Sequence, residues 1–218
     1  MDMDRNAFLF DLDGVIFDTE GQYSVLWDEL GDRYFSDREF GNRIKGQTLP
    51  RIFDTYFPGD KALQNEIRAR LDVFEREMDY SYIPGAEEFL EDLKRRGCPA
   101  AIVTSSDRSK MRNVYMAHPE IKSLVTHIFT GEDFTRSKPF PDCYIMGMNV
   151  FGTLPGNTFI FEDSFNGLQA AKDSGGNVIA LATTNAREDV APYAGLVIDN
   201  FIGLTVEKLQ DNFYICRA

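Results

Sequence analysis

Histidine is nearly missing from this chain: His118 and His127 are the only two among 218 residues. A metal centre built on imidazoles is therefore excluded. Cysteine is almost as scarce. Cys98, Cys143 and Cys216 are far apart and odd in number. They show neither metal-ligand spacing nor a disulfide framework, so free thiols of a cytoplasmic protein are expected. No apolar run approaches the ~20 residues of a membrane span, and the first five residues lack the basic-then-apolar order of a secretory signal. A basic excess is missing too. Lys and Arg number 23 against 35 Asp and Glu, a net charge of −12. That speaks against a nucleic-acid surface, but not against a small anion held locally by a metal and one or two cations. Repeats and low-complexity segments are also absent.

What is present is alternation. Short apolar runs of strand type occur at Ala7–Phe10, Ala100–Val103, 126–129, 158–161 and 178–181, with a weaker one at Leu196–Ile198. They are continuous rather than alternating, which predicts strands buried on both faces. Helical patterns lie between them. Ala86, Phe89, Leu90 and Leu93 follow helical spacing after Pro84-Gly85 and before Gly97. Residues 164–174 form another such pattern, with Ser164 as the cap and Gly175-Gly176 as the stop. The expected fold is an α/β core with a Rossmann-like parallel sheet. Residues 18–81 break the alternation: they hold no good strand, only helical faces such as Tyr23, Leu26, Trp27 and Leu30. The division expected is a core of 1–17 and 82–218 with a helical insertion of 18–81.

In open α/β sheets, ligands bind beyond the carboxyl ends of the strands. The first strand runs into Asp11-Leu12-Asp13-Gly14-Val15, the second into Thr104-Ser105-Ser106-Asp107, and the fourth into Glu162-Asp163-Ser164. The loop after the third holds Ser137-Lys138-Pro139. A parallel sheet would bring these groups to one edge. Clustered carboxylates need a cation between them, and hard oxygen ligands select magnesium. One carboxylate can attack phosphorus while a second moves a proton. A lysine and hydroxyls can hold the phosphoryl oxygens.

On these residues the chain resembles the haloacid dehalogenase superfamily, whose four motifs match in order. They are Phe10-Asp11-Leu12-Asp13-Gly14-Val15, Ile102-Val103-Thr104-Ser105-Ser106, Lys138-Pro139-Phe140-Pro141-Asp142 and Phe161-Glu162-Asp163-Ser164. The resemblance implies Asp11 as nucleophile and metal ligand, and Asp13 as acid and base with its main-chain carbonyl on the metal. It implies Thr104 and the Ser105 backbone as phosphoryl binders, Lys138 as a bridge between Asp11 and phosphate, and Glu162 and Asp163 as magnesium ligands. Asp13 favours phosphoryl transfer over dehalogenation, because the dehalogenating members lack an acid at that position. Ser106 and Asp107 are read either as substrate contacts or as caps of the next helix.

The insertion resembles the small helical cap of the β-phosphoglucomutase-like subgroup, with Asp18-Thr19-Glu20 as the hinge and Lys45 and Gln47 as substrate contacts. Trp27, His118 and His127 are read as structural. The expected activity is magnesium-dependent hydrolysis of a small phosphate monoester, a sugar phosphate or related metabolite, by a monomer or a dimer. A β-phosphoglucomutase-type mutase is the main alternative. The subgroup's mutase pattern places an arginine where this chain has Leu49 and a histidine where it has Tyr23, leaving Arg43 or Arg51 to grip a second phosphate. Pyrophosphate hydrolysis and a non-catalytic binding module are further alternatives.

Overall fold

A computed structural model describes residues 6–215. The elements run β1 (Ala7–Phe10), α1 (Glu20–Phe35), α2 (Phe40–Ile44), α3 (Leu49–Tyr56), α4 (Lys61–Glu77), α5 (Ala86–Arg95) and β2 (Ala100–Val103). They continue with α6 (Arg108–Ala117), α7 (Ile121–Leu124), β3 (His127–Phe129), α8 (Asp142–Phe151), β4 (Thr158–Glu162), α9 (Phe165–Ser174) and β5 (Asn177–Leu181). Last come α10 (Arg187–Val190), β6 (Leu196–Ile198) and α11 (Val206–Ile215). The six strands form one parallel sheet in the order β3-β2-β1-β4-β5-β6. Strand order reverses between β1 and β4, which opens a crevice at their carboxyl ends.

Phenylalanine fixes that central pair. Phe8 stacks on Phe159 and Phe10 on Phe161, with centroids 5.3 and 4.5 Å apart, and Phe89 of α5 meets Phe8, Phe10 and Phe161 edge-on. All are buried, each ring contributing roughly 1.5–3 kcal/mol. The opposite face packs Leu9, Val103 and Ile160 against Tyr144 and Met148 of α8 and Leu168 of α9. Both faces of β1, β2, β4 and β5 are thus covered, as the continuous runs predict. The outer strands differ. β3 begins at His127, and both β3 and β6 are partly exposed rather than buried on both faces, because an edge strand has a neighbour on one side only.

Helices α1 to α4 gather over their own apolar cluster, which includes Leu26, Trp27, Leu30, Phe40, Phe53 and Leu71. The chain enters and leaves this region side by side. Asp18 N–H donates to Ser81 O, and Ile83 N–H to Ile16 O. Cys143 is a free, buried thiol; Cys216 and the first five residues lie outside the described residues. No helix among the described residues is long and apolar enough to cross a membrane.

Candidate active site

Asp11 stands one residue past β1, and its N–H donates to Phe161 O of β4. Its carboxylate therefore sits in the crevice between the two strands. Lys138, fully buried, reaches it from the loop before α8: Nζ donates to Asp11 Oδ1 at 2.6 Å and to Glu162 Oε1 at 2.5 Å. Glu162, also fully buried, accepts further bonds from Tyr144 O–H, the N–H groups of Asp163 and Ser164, and Ser164 O–H. Both of its oxygens are occupied. A side chain at Gly167 would overlap this carboxylate, so the glycine lets α9 start against it. Ser164 caps α9, accepting from Gly167 N–H at 3.1 Å.

Asp163 differs from its neighbour. Thr184 O–H donates to its Oδ2, while Oδ1 is buried without a hydrogen-bond partner among the described residues. Ligand oxygens of Asp11, Glu162 and Asp163 lie within 4.8 Å of one another. One lysine ammonium among three buried carboxylates leaves negative charge unbalanced, and an orphaned carboxylate oxygen is costly unless a cation meets it. The donor set is all hard oxygen. The site thus fits a magnesium ion. Gly14, with φ 72°, keeps the first loop open beside this cluster, since a Cβ there would collide with Asp163.

Charge follows the same pattern. Burial pushes Asp11 up to about 8; Lys138 opposes this, and Glu162 and Asp13 add to it. Burial also raises Asp163 well above the usual carboxylate range, reinforced by Glu20, Glu162 and Asp11. Glu20 rises to about 7 for the same first reason, followed by repulsion from Asp13. Such groups keep protons in the folded chain that the unfolded chain has lost, so their contribution to stability falls as pH rises from about 4 to about 8. Asp13 acts oppositely, but only below its ordinary range. The metal-free protein is therefore expected to melt at a lower temperature near pH 8 than near pH 5. Magnesium should raise the melting temperature more at the higher pH. A metal-free melting curve that is flat or rising over that interval, read by differential scanning calorimetry, contradicts this charge distribution.

The Asp13 carboxylate lies apart from the three-carboxylate cluster. Thr19 O–H donates to its Oδ1 at 2.5 Å, Ser106 O–H to its Oδ2 at 3.0 Å, and the Lys110 ammonium pairs with Oδ1. Burial alone would raise its pKa, but Lys110 and the two hydroxyls outweigh burial and hold it below the usual range. Ser106 therefore faces Asp13, while Asp107 is the cap of α6, accepting from Lys110 N–H at 2.9 Å. Thr104 is buried, and its hydroxyl accepts from Ser106 N–H. Ser105 O–H donates to Gly46 O, and Asn166 donates to Lys45 O. These two bonds hold the 45–47 loop over the crevice.

A cavity of about 110 Å³ lies beneath that loop, lined by Asp11, Asp13, Thr104, Ser105, Ser106, Lys45 and Gln47 among others. Every expected catalytic and substrate-contact residue except the buried Lys138 lines it. Leu49 and Tyr23 line it too; Arg43 and Arg51 do not. Arg43 pairs with Asp37, and Arg51 lies over the Phe140 ring. Trp27 both packs in the insertion's core and edges the cavity. His118 is held by Glu120 and Tyr80 O, and His127 stacks on Phe129. Four residues were not anticipated from sequence: Lys110, Tyr144, Thr184 and Glu75. For the first two there was a signal, a lysine among Met111 and Val114 and a tyrosine among Cys143 and Met148, each a polar end on an apolar helix face.

The profile of the haloacid dehalogenase-like hydrolase family matches residues 8–181, and the chain belongs to that family. Among its relatives, hexitol phosphatase A of Escherichia coli (strain K12) is 28% identical, over 93% of this chain and 94% of its own. The (DL)-glycerol-3-phosphatase 1, mitochondrial, of Arabidopsis thaliana is 26% identical, over 92% of this chain and 72% of its own. Both are named as phosphatases. The crystal structure of CbbY from Rhodobacter sphaeroides in complex with phosphate shares the fold, with TM-score 0.77, 24% identity, and coverage of 94% of this chain and 99% of that one.

Proposed function

We propose that this chain is a magnesium-dependent phosphatase that hydrolyses a small phosphate monoester, a sugar phosphate or related metabolite, through a phosphoryl group carried on Asp11. The observation that carries the reading is the Asp11–Lys138 pair set beside the unpartnered Asp163 oxygen, with the Asp13 carboxylate two residues on and aimed separately. Its relatives' names, a hexitol phosphatase and a glycerol-3-phosphatase, support the substrate class. Residues 18–81 serve as a cap on the core of 1–17 and 82–218, closing over the crevice through the 45–47 loop.

The chemistry falls to the chain's own groups. Asp11 attacks phosphorus, the bond to the leaving oxygen breaks, and Asp13 gives that oxygen a proton. Asp13, now ionised, takes a proton from water; the water oxygen bonds to phosphorus and the bond to Asp11 breaks. The carboxylate held by Lys110, Thr19 and Ser106 is the form needed for this second half. Its first-half role requires it protonated and turned from those donors. Lys138 keeps Asp11 oriented, and Thr104 with the Ser105 backbone holds the phosphoryl oxygens. Asp11, Glu162, Asp163 and the Asp13 main-chain carbonyl would hold magnesium, which would supply positive charge to offset that of the phosphoryl group.

Two outcomes are expected. Asp13→Asn lowers turnover about 10²–10⁴-fold while the magnesium concentration for half-maximal activity stays nearly constant, because the side chain moves protons and the carbonyl serves the metal. An equal loss of magnesium affinity would mean the carboxylate has the other job. The second outcome separates hydrolase from mutase. With β-glucose 1-phosphate, magnesium and a trace of the bisphosphate, phosphate release should exceed glucose 6-phosphate formation, since Leu49 stands where an arginine would grip the second phosphate. Glucose 6-phosphate formed at equal or greater rate would overturn the hydrolase reading. Failure to turn over any chromogenic phosphate ester would leave the binding-module alternative.

A further inference from the structure

Two sets of residues line the cavity. Asp11, Thr104 and Ser105 come from the loops after β1 and β2; Tyr23 and Trp27 of α1 and Leu71 and Glu75 of α4 make its helical end. Glu75 projects from α4 and accepts a hydrogen bond from Tyr23 O–H at 2.7 Å through Oε1. Among the described residues no other group hydrogen bonds to this carboxylate, while Tyr80 O–H donates to the Glu75 main-chain carbonyl at 2.6 Å; Glu75 lines the cavity. The Tyr23 ring is fixed by Phe74 edge-on at 5.4 Å and by the Lys110 ammonium 4.4 Å from its centroid. The carboxylate is thus aimed by a tyrosine that cannot easily move.

Position tells which part of a substrate this end meets. The Lys110 ammonium that faces the Tyr23 ring also pairs with Asp13 Oδ1, so Tyr23, and through it Glu75, stands next to Asp13. Asp13 is the group that protonates the leaving oxygen, so the leaving group lies on the Asp13 side, toward Tyr23 and Glu75. Among the described residues, the carboxylates lining the cavity are Asp11, Asp13, Glu20, Glu75 and Asp107, and the one lysine or arginine lining it is Lys45, which faces Glu20 at 3.7 Å. Lys110 is nearby but already spent on Asp13. A second phosphoryl group at this end would meet Glu75 with no free cation, and like charges set together cost several-fold in binding. A hydroxyl or an ammonium would instead donate to Oε2, a charge-assisted bond.

We propose that Glu75, oriented by Tyr23, is the leaving-group recognition residue, selecting phosphate monoesters whose leaving group offers a hydroxyl or ammonium donor and rejecting those with a second phosphoryl group. This rests on the phosphatase reading above. It adds a residue and a charge rule that reading does not contain, and it disfavours both bisphosphates and pyrophosphate.

The test compares kcat/KM of the magnesium-loaded enzyme at pH 8, above the value of about 7 to which burial pushes Glu75, on sorbitol 6-phosphate, glucosamine 6-phosphate, glucose 1,6-bisphosphate and pyrophosphate. The first two esters should exceed the second two by about tenfold or more, the scale of one charged hydrogen bond. Which of the first two leads tells whether hydroxyl or ammonium is the preferred donor. Glu75→Gln keeps the shape and removes the charge, so it should narrow the gap, mainly by raising KM for the donor esters. Glu75→Lys should reverse it in favour of the bisphosphate. Thermal melting checks that each variant is folded, and Glu75→Gln alone suffices if the lysine variant is not. Equal turnover of the bisphosphate by the unmodified enzyme, or an unchanged ratio in folded Glu75→Gln, overturns the proposal while leaving the phosphatase reading intact. No phosphate release from any ester, p-nitrophenyl phosphate included, overturns both.

Discussion

Asp11→Asn should abolish phosphate release, a loss on the order of 10⁴–10⁶-fold of the kind seen when a nucleophile is removed. An amide has nearly the shape of the carboxylate but attacks phosphorus poorly and carries no charge for a metal. The same substitution should leave the fold intact. Lys138 keeps Glu162 as its partner at 2.5 Å, and burial already pushes Asp11 toward its neutral form. A neutral amide therefore relieves repulsion instead of creating it, and the metal-free variant should melt no lower than the unmodified chain. That separates chemistry from stability. Substantial turnover by a pure, folded Asp11→Asn sample would refute the covalent role.

Removal of divalent metal should be as damaging. Asp11, Glu162 and Asp163 form a cluster that a single lysine cannot neutralise, and Asp163 Oδ1 has no hydrogen-bond partner among the described residues. A dianionic phosphoryl group brought beside them would be repelled. Exhaustive chelation is therefore expected to take activity to background, and magnesium to restore it. Calcium should restore less, being larger and more loosely coordinated. Full activity in a sample shown by elemental analysis to be metal-free would sink the assignment of these carboxylates.

How much of this was legible beforehand depends on the kind of physics involved. The sheet was readable because four of its strands are buried on both faces and so are unbroken apolar runs. The edge strands β3 and β6 were placed but their exposure was not, since an apolar tripeptide does not say whether it has one neighbour or two. Asp11, Asp13, Thr104, Lys138, Glu162 and Asp163 were legible as candidates because each ends a strand, follows one or sits in its loop, and parallel strands carry such positions to one edge. Asp107 and Ser106 could not be separated by sequence. Both can cap a helix, and only backbone geometry gave the cap to Asp107 and turned Ser106 to Asp13.

The residues that escaped are those whose partners are distant in the chain. Lys110 meets Asp13 across 97 positions, and Tyr144 meets Glu162 across 18. Thr184 reaches Asp163 from the loop after β5. A buried ionic contact leaves no periodic trace; it shows only as a polar residue in an apolar phase, which many satisfied core residues also show. Glu75 carried still less signal, because α4 is charged along much of its length and nothing in the pattern marks one glutamate as facing a cavity. The departures from the mutase pattern, Leu49 and Tyr23, were visible as identities. Whether Arg43 or Arg51 compensates required knowing where those side chains go: Arg43 pairs with Asp37, Arg51 lies over Phe140, and neither lines the cavity.

The central claim is that a phosphoryl group resides on Asp11 between two half-reactions that share Asp13. The most direct measurement uses the Asp13→Asn variant with p-nitrophenyl phosphate and magnesium, quenched in acid and digested for mass spectrometry. Nitrophenolate leaves without needing a proton, so the first half proceeds, while the second lacks its base and stalls. One phosphoryl group should accumulate on the peptide containing Asp11, in step with the nitrophenolate burst. Nitrophenolate released with no phosphorylated peptide, or with the phosphoryl group on a serine or threonine such as Thr104, would contradict it.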